Sequence, residues 1–217
     1  MDIYPSIASS DPLIYGETLK SLGSWPFLHI DIEDGNFTPN ITFGLKTVEA
    51  VINASKAKLF SVHLMVTNPL DYLDELHQMG IGEVFAHIEA LDNPNTFVSR
   101  CHDLNMKSGL ALKANTPFSS IREYTSEIDS VLFLTSCPNP IKEEFSISAF
   151  NKALDAADKL KGKIKLTADG GLGEEELKIL EKNSFDSVVL GRLVFKDNNP
   201  LKRLKMLSEL IGDSIND

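Results

Sequence analysis

The sequence is short of cysteine and of positive charge, and both shortages narrow what it can be. Cys101 and Cys137 are the only cysteines in 217 residues. They form no close metal-binding pair, and two thiols in a chain this long do not make a disulfide scaffold. A reducing, cytoplasmic setting is the expectation. Lysine and arginine total 21 against 31 acids, a formal net charge of -10. A phosphate backbone repels an acidic surface, so nucleic-acid binding is disfavoured as the main role. A small anion held in a local pocket is not. No stretch approaches the ~20 apolar residues of a membrane span. Met1-Asp2-Ile3-Tyr4-Pro5 carries no basic region and no apolar run of signal length. No Gly-x-Gly-x-x-Gly follows the first strand, which removes the usual mark of a dinucleotide-binding open sheet.

What is present is alternation. Hydrophobic residues at 42% suffice for a substantial core, and 24% charged is ordinary for a soluble protein. Short apolar segments read as strands at residues 2–8, 27–35, 58–65, 82–89, 107–113, 130–135, 164–169 and 187–190. Helical spacing or helix-start signals follow each one: from Ser10-Asp11-Pro12 to Leu22, over 45–54, from Asn68-Pro69, over 97–104, from Thr116-Pro117, and over 146–160, 174–181 and 200–211. There is no composition break and no linker. Eight strand-plus-helix units of this kind predict an α/β protein with a parallel sheet and helices outside it. Closed on itself, that is a (β/α)8 TIM barrel in a single domain over residues 1–217. A doubly wound open sheet is the runner-up.

One stretch departs from the apolar pattern. In Phe27-Leu28-His29-Ile30-Asp31-Ile32-Glu33-Asp34-Gly35, strand parity puts Phe27, His29, Asp31 and Glu33 on one face. Such a face cannot lie against an apolar layer without compensation. It either meets water, as on an edge strand, or holds a cation. His29 and Asp31 are two residues apart, so their side chains can meet one ion. In a barrel the catalytic face lies where the strands end. His29, Asp31, His63 and Asp169 all fall near such ends, and two histidines with two aspartates suit a divalent transition metal.

The chain resembles the ribulose-phosphate 3-epimerase family over almost its whole length. The matching segments are Pro5-Ser6-Ile7, His29 to Gly35 with Phe37, Pro39 and Asn40, and Val62 to Val66 with Pro69. His87-Ile88-Glu89, Gly109 to Pro117, Asp169-Gly170-Gly171 and Gly191 to Phe195 complete the set in the expected order. The resemblance implies a (β/α)8 barrel with one divalent ion (zinc, iron, cobalt or manganese) on His29, Asp31, His63 and Asp169. It implies Asp31 and Asp169 as the acid/base pair. It places Ser6, His63, Met65, Gly170, Gly171, Gly191 and Arg192 at the substrate. The implied partner is a small-molecule sugar phosphate, with neither nucleic acid nor membrane, and the implied assembly is a homo-oligomer.

Departures from the family pattern bear on specificity. Glu33 and Leu134 stand where the family has methionines, and Lys113 where it has asparagine. The glycine-rich loop after the sixth strand is replaced by Cys137-Pro138-Asn139-Pro140-Ile141-Lys142-Glu143-Glu144, and Gly-Ser after the eighth becomes Gly191-Arg192. Two prolines stiffen the loop. Arg192, with Lys142, supplies a charged donor for phosphate. Gly109 and Ala111 leave room for Lys113 inside, so a Lys113–Glu33 pair that repolarises the pocket is expected; the bland reading sends both to solvent. The favoured function is metal-dependent C3 epimerisation of a phosphorylated ketose, a pentulose or hexulose phosphate, by two-aspartate proton transfer through an enediolate. The alternatives are an epimerase for a substrate other than ribulose 5-phosphate, a barrel that binds metal or sugar phosphate without turnover, and a metal-free phosphate-binding lyase or isomerase.

Overall fold

Strands covered on both faces read as apolar runs, and here the outward positions obey that rule: Leu28, Ile30 and Ile32, then Val62 and Leu64, then Leu110 and Leu112 are all buried. The computed structural model describes residues 1–137, 144–160, 162–196 and 198–212. Its strands are β1 (Asp2–Pro5), β2 (Phe27–Glu33), β3 (Leu59–Met65), β4 (Glu83–His87), β5 (Lys107–Leu112), β6 (Ser130–Leu134), β7 (Ser136–Cys137), β8 (Glu144–Phe145), β9 (Lys165–Asp169) and β10 (Ser187–Leu190). Eight of them form one parallel sheet in the order β1-β10-β9-β6-β5-β4-β3-β2. The outer strands β1 and β2 meet through a parallel bridge between Ser6 and His29, so the sheet curls into a nearly closed TIM barrel.

Helices α1 (Tyr15–Ser21), α2 (Leu45–Ala54), α3 (Leu73–Gln78), α4 (Pro94–Asp103), α5 (Ile147–Leu160) and α6 (Glu174–Lys182) lie between the strands in sequence, and α7 (Arg192–Phe195) and α8 (Pro200–Leu210) follow the last one. The main core joins outward strand residues to helix residues such as Val48, Val51, Phe150, Ala153, Leu177 and Leu180. A smaller cluster of Phe85, Ala111, Leu132 and Leu134 forms on its own. Phe85 lies against Gly109 so closely that a Cβ there would sit 2.2 Å from the ring. The space at Gly109 therefore belongs to Phe85 and not, as the sequence suggested, to Lys113. Among the described residues no helix is long and apolar enough to cross a membrane.

Two expected helices start late. Asp11 accepts a hydrogen bond from the Leu13 amide (3.0 Å) and opens a 3-10 turn, Pro12–Ile14, before α1. Asn68 makes no side-chain cap, and a 3-10 turn over Pro69–Tyr72 precedes α3. The helix expected from Thr116-Pro117 is a 3-10 segment, Phe118–Tyr124. The β7–β8 pair was not anticipated: Ser136 lies opposite Phe145 and Cys137 opposite Glu144, antiparallel. Between them, Pro138, Pro140 and Lys142 lie outside the described residues.

Candidate active site and metal centre

The parallel register aligns the polar positions of neighbouring strands. His29 of β2 lies beside Ser61 of β3, Asp31 beside His63, and Glu33 beside Met65. Asp169 ends β9, next but one to β1 in the sheet. His63 Nδ1 lies 3.3 Å from Asp31 Oδ1 and 3.1 Å from Asp169 Oδ2. His29 Nε2 is 3.3 Å from Asp31 Oδ1, and its Nδ1 is 2.7 Å from the Ser61 hydroxyl. Ser6 donates its hydroxyl to Asp31 Oδ2. One candidate ligand atom from each of His29, Asp31, His63 and Asp169 lies within 4.8 Å of the others.

These residues could hold a metal ion. Among the described residues, His29 Nε2 and Asp31 Oδ1 are the buried side-chain polar atoms left without a hydrogen-bond partner. Both point into this cluster, and a buried polar atom without a partner costs about 1–3 kcal/mol. Two nitrogens and two carboxylates suit a borderline divalent cation, which would satisfy both atoms at once.

The electrostatics are those of a crowded, dry site. Burial alone would raise the pKa of Asp31, but the imidazoles of His29 and His63 outweigh it and hold the carboxyl well below the usual range. Asp169 moves upward, through burial and then the charge of Asp31. Burial opposes protonation of His63, yet Asp169 and Asp31 prevail and push it up to about 9. Burial lowers His87 to about 4, despite its bond to Glu89. Glu33 is raised by burial and by Asp31.

Above this cluster opens a cavity of about 490 Å³. Ser6, Met65, Gly170, Gly171, Gly191 and Arg192 all line it, as do Asp31 and Asp169. His29 and His63 do not; they lie fully buried beneath the aspartates, so His63 meets the cluster rather than the cavity. Gly170 and Gly171 both have positive φ, +109° and +69°. A Cβ at Gly170 would fall 2.3 Å from the Ser136 hydroxyl, which only glycine avoids. Sequence reasoning missed Asn40, Thr42, Ser136 and Lys196, which also line the cavity. None of them belongs to a periodic pattern.

The expected Lys113–Glu33 pair does not form. Glu33 accepts hydrogen bonds from the Thr38 hydroxyl (3.1 Å) and the Asn40 amide (3.4 Å), and it lines the cavity. Lys113 Nζ instead sits 3.6 Å from the centroid of the Phe37 ring and 3.5 Å from the Phe37 carbonyl. Phe85 fills the interior beside Gly109, and a cation over an aromatic face is a stable alternative.

A family model described as the ribulose-phosphate 3 epimerase family matches residues 2–195. Ribulose-phosphate 3-epimerase from Bacillus subtilis (strain 168) is 29% identical over 216 residues, covering 97% of this chain and 98% of that protein. The enzyme of the same name from Schizosaccharomyces pombe is 30% identical over 187 residues, covering 85% and 81%. The cytoplasmic isoform from Oryza sativa subsp. japonica is 29% identical, covering 99% and 96%. Among solved structures, KGPDC from Streptococcus mutans matches with a TM-score of 0.73 at 13% identity, covering 97% of each chain. A 3-hexulose-6-phosphate synthase matches with a TM-score of 0.66 at 14% identity, covering 97% and 99%. At those identities the structural likeness speaks for the barrel.

Proposed function

The chain belongs to the ribulose-phosphate 3-epimerase family and is a carbohydrate epimerase, and from that premise we propose that it inverts C3 of a phosphorylated ketose, a pentulose or hexulose phosphate. The observation that carries this reading is the pair Asp31 and Asp169: two carboxylates from different strands, both on the cavity and both held by His63.

Inverting a carbinol carbon beside a ketone removes a proton from one face and returns one to the other. One carboxylate cannot reach both faces, so two are needed. Asp31 and Asp169 take these roles in turn, one as base and the other as acid. Ser6 fixes the orientation of Asp31 through its hydroxyl. His29, Asp31, His63 and Asp169 would hold a divalent ion, which would supply positive charge to offset the negative charge that develops on the substrate oxygens. Zinc, iron, cobalt and manganese all suit that donor set. Met65 and Leu134 give the cavity apolar wall near the carboxylates, which limits water there. At the far end, Gly170, Gly171 and Gly191 with Arg192 and Lys196 form the phosphate end, where backbone amides and cations converge. The named cytoplasmic isoform among the relatives supports a cytoplasmic setting.

Glu33 favours a second reading of the substrate. A carboxylate on the cavity wall accepts hydrogen bonds, so it suits a ketose that differs from ribulose 5-phosphate by offering a hydroxyl donor there.

The test is proton–deuterium exchange followed by NMR in heavy water, with metal-loaded protein and a panel of pentulose and hexulose phosphates. Deuterium at C3 of one sugar, lost in Asp169→Asn, is the expected result. Metal binding without exchange on any sugar of the panel would leave a binding barrel instead.

A further inference from the structure

Behind the ligand cluster lie two polar residues that the proton transfer does not use. His87 ends β4 and is fully buried. Glu89 follows two residues on. His63 Nε2 and His87 Nε2 are 2.9 Å apart. Their ring centroids are 4.9 Å apart with planes inclined by 29°, so at that nitrogen separation the rings meet edge to edge. His87 Nδ1 lies 3.1 Å from Glu89 Oε2. The other oxygen, Oε1, accepts from the Lys113 backbone amide (3.0 Å) and the Thr116 hydroxyl. Lys152 Nζ in turn donates to the carbonyls of Lys113, Ala114 and Thr116 at 2.7, 3.0 and 2.7 Å, which fixes that turn.

Counting donors leaves one arrangement. An ionised carboxylate only accepts, so His87 Nδ1 must carry the hydrogen that Glu89 receives. A neutral His87 then has a lone pair on Nε2. Only His63 can supply the hydrogen between the two rings, so His63 is protonated at Nε2. Its Nδ1, which faces Asp31 and Asp169, is then the atom that gives up its proton to offer a lone pair to an ion. We propose that His87 and Glu89 are positioning residues that set the tautomer of His63 and aim its Nδ1 lone pair into the ligand cluster. The inference rests on the metal reading above. Partners of this kind, bonded to a ligating histidine from behind, typically change metal affinity by 10–100-fold when lost.

Glu89→Gln tests it without changing shape. The Lys113 amide keeps an oxygen at the Oε1 position, so the new NH2 group faces His87 Nδ1. The chain of hydrogen bonds then reverses: His87 accepts at Nδ1 and donates from Nε2, and His63 carries its hydrogen on Nδ1. The experiment titrates Zn2+ into chelated wild type and Glu89→Gln, and assigns imidazole protons in both from 15N spectra. The expected result in wild type is a hydrogen on His63 Nε2 and on His87 Nδ1. In Glu89→Gln, Zn2+ binding weakens by about 10–100-fold and the His87 hydrogen moves to Nε2, while the melting temperature of the chelated protein is retained. Equal Zn2+ affinity in the two proteins overturns the proposal and leaves the metal site standing. So does a wild-type spectrum with His87 protonated at Nε2, a result that does not depend on the variant folding. Failure of wild type to bind Zn2+ overturns the metal reading and this inference with it.

Discussion

The two ends of the cavity are built differently. At the floor, the side chains stand on strands or, at Ser6, one residue past the end of β1, and each is held by another side chain: Ser6 on Asp31, His63 on Asp169, His29 on Ser61. At the far end, Gly170, Gly171, Gly191 and Arg192 stand on loops or at the start of the short helix α7. Strands fix geometry closely; loops adapt. Chemistry that needs two carboxylates and an ion in fixed relation belongs on the floor. The choice of sugar belongs to residues that line the cavity without joining the cluster, and two of the departures, Arg192 at the start of α7 and Glu33 at the end of β2, are of that kind.

The sharpest way to break this contrast is to alter the floor. Asp31→Asn and Asp169→Asn should each lower kcat by about 10²–10⁴-fold, measured as the rate of C3 deuterium incorporation. A loss below tenfold at either position would place the chemistry elsewhere. The next effect is electrostatic. His63 keeps its proton up to about 9 in the folded chain, whereas an ordinary histidine loses it near 6.5. Its contribution to stability is therefore full below 6.5 and lost as pH rises to 9. His87 is held neutral down to about 4, so the unfolded chain takes up that proton first and stability also falls as pH drops below 6.5. The chelated protein should thus show a melting temperature that peaks near neutrality. Zn2+ bound at the cluster would displace the proton from His63 and should flatten the alkaline arm; a scan of melting temperature against pH, with and without Zn2+, reads both.

Changes at lining residues outside the cluster should be smaller and of another kind. Arg192→Ser should raise KM for the phosphorylated ketose by about tenfold, the worth of one charge-assisted contact, with kcat little changed. Steady-state kinetics separates the two, and an equal fall in kcat would make Arg192 part of the floor. Glu33→Met should shift the ratio of kcat/KM between two ketose phosphates by severalfold. Lys113→Asn should leave that ratio unmoved, because its ammonium rests on Phe37 and not on Glu33.

The barrel and its floor were legible in the sequence through strand pattern, with the family resemblance supporting His63 and Asp169 as partners of His29 and Asp31. Strand parity is a strict period of two, so His29, Asp31 and Glu33 had to share a face, and alternation of strands and helices had to make a parallel sheet. What escaped was anything that depends on which side chain fills a given space. Gly109 looked like room for Lys113 until Phe85 was seen across it. Glu33 looked like half of an ion pair, yet Thr38 and Asn40 lie nearer in the chain and reach it first. His87 and Glu89 showed only as a matching segment without a role, since their partners come from β3 and from the turn after β5. The two-residue strands β7 and β8 are too short to carry any period.

The seam of the barrel joins these strands in another respect. β1 and β2 meet through the bridge at Ser6 and His29, while Ser6 also bonds Asp31. The cylinder is thus fastened at the wall of the cavity proposed to take the substrate. Filling the site should tighten the fastening, and emptying it should loosen the wall itself. Amide hydrogen exchange around Ser6 and His29 then becomes a gauge of occupancy: a ligand too small or too weak to follow directly would still be recorded in how slowly the two edges part.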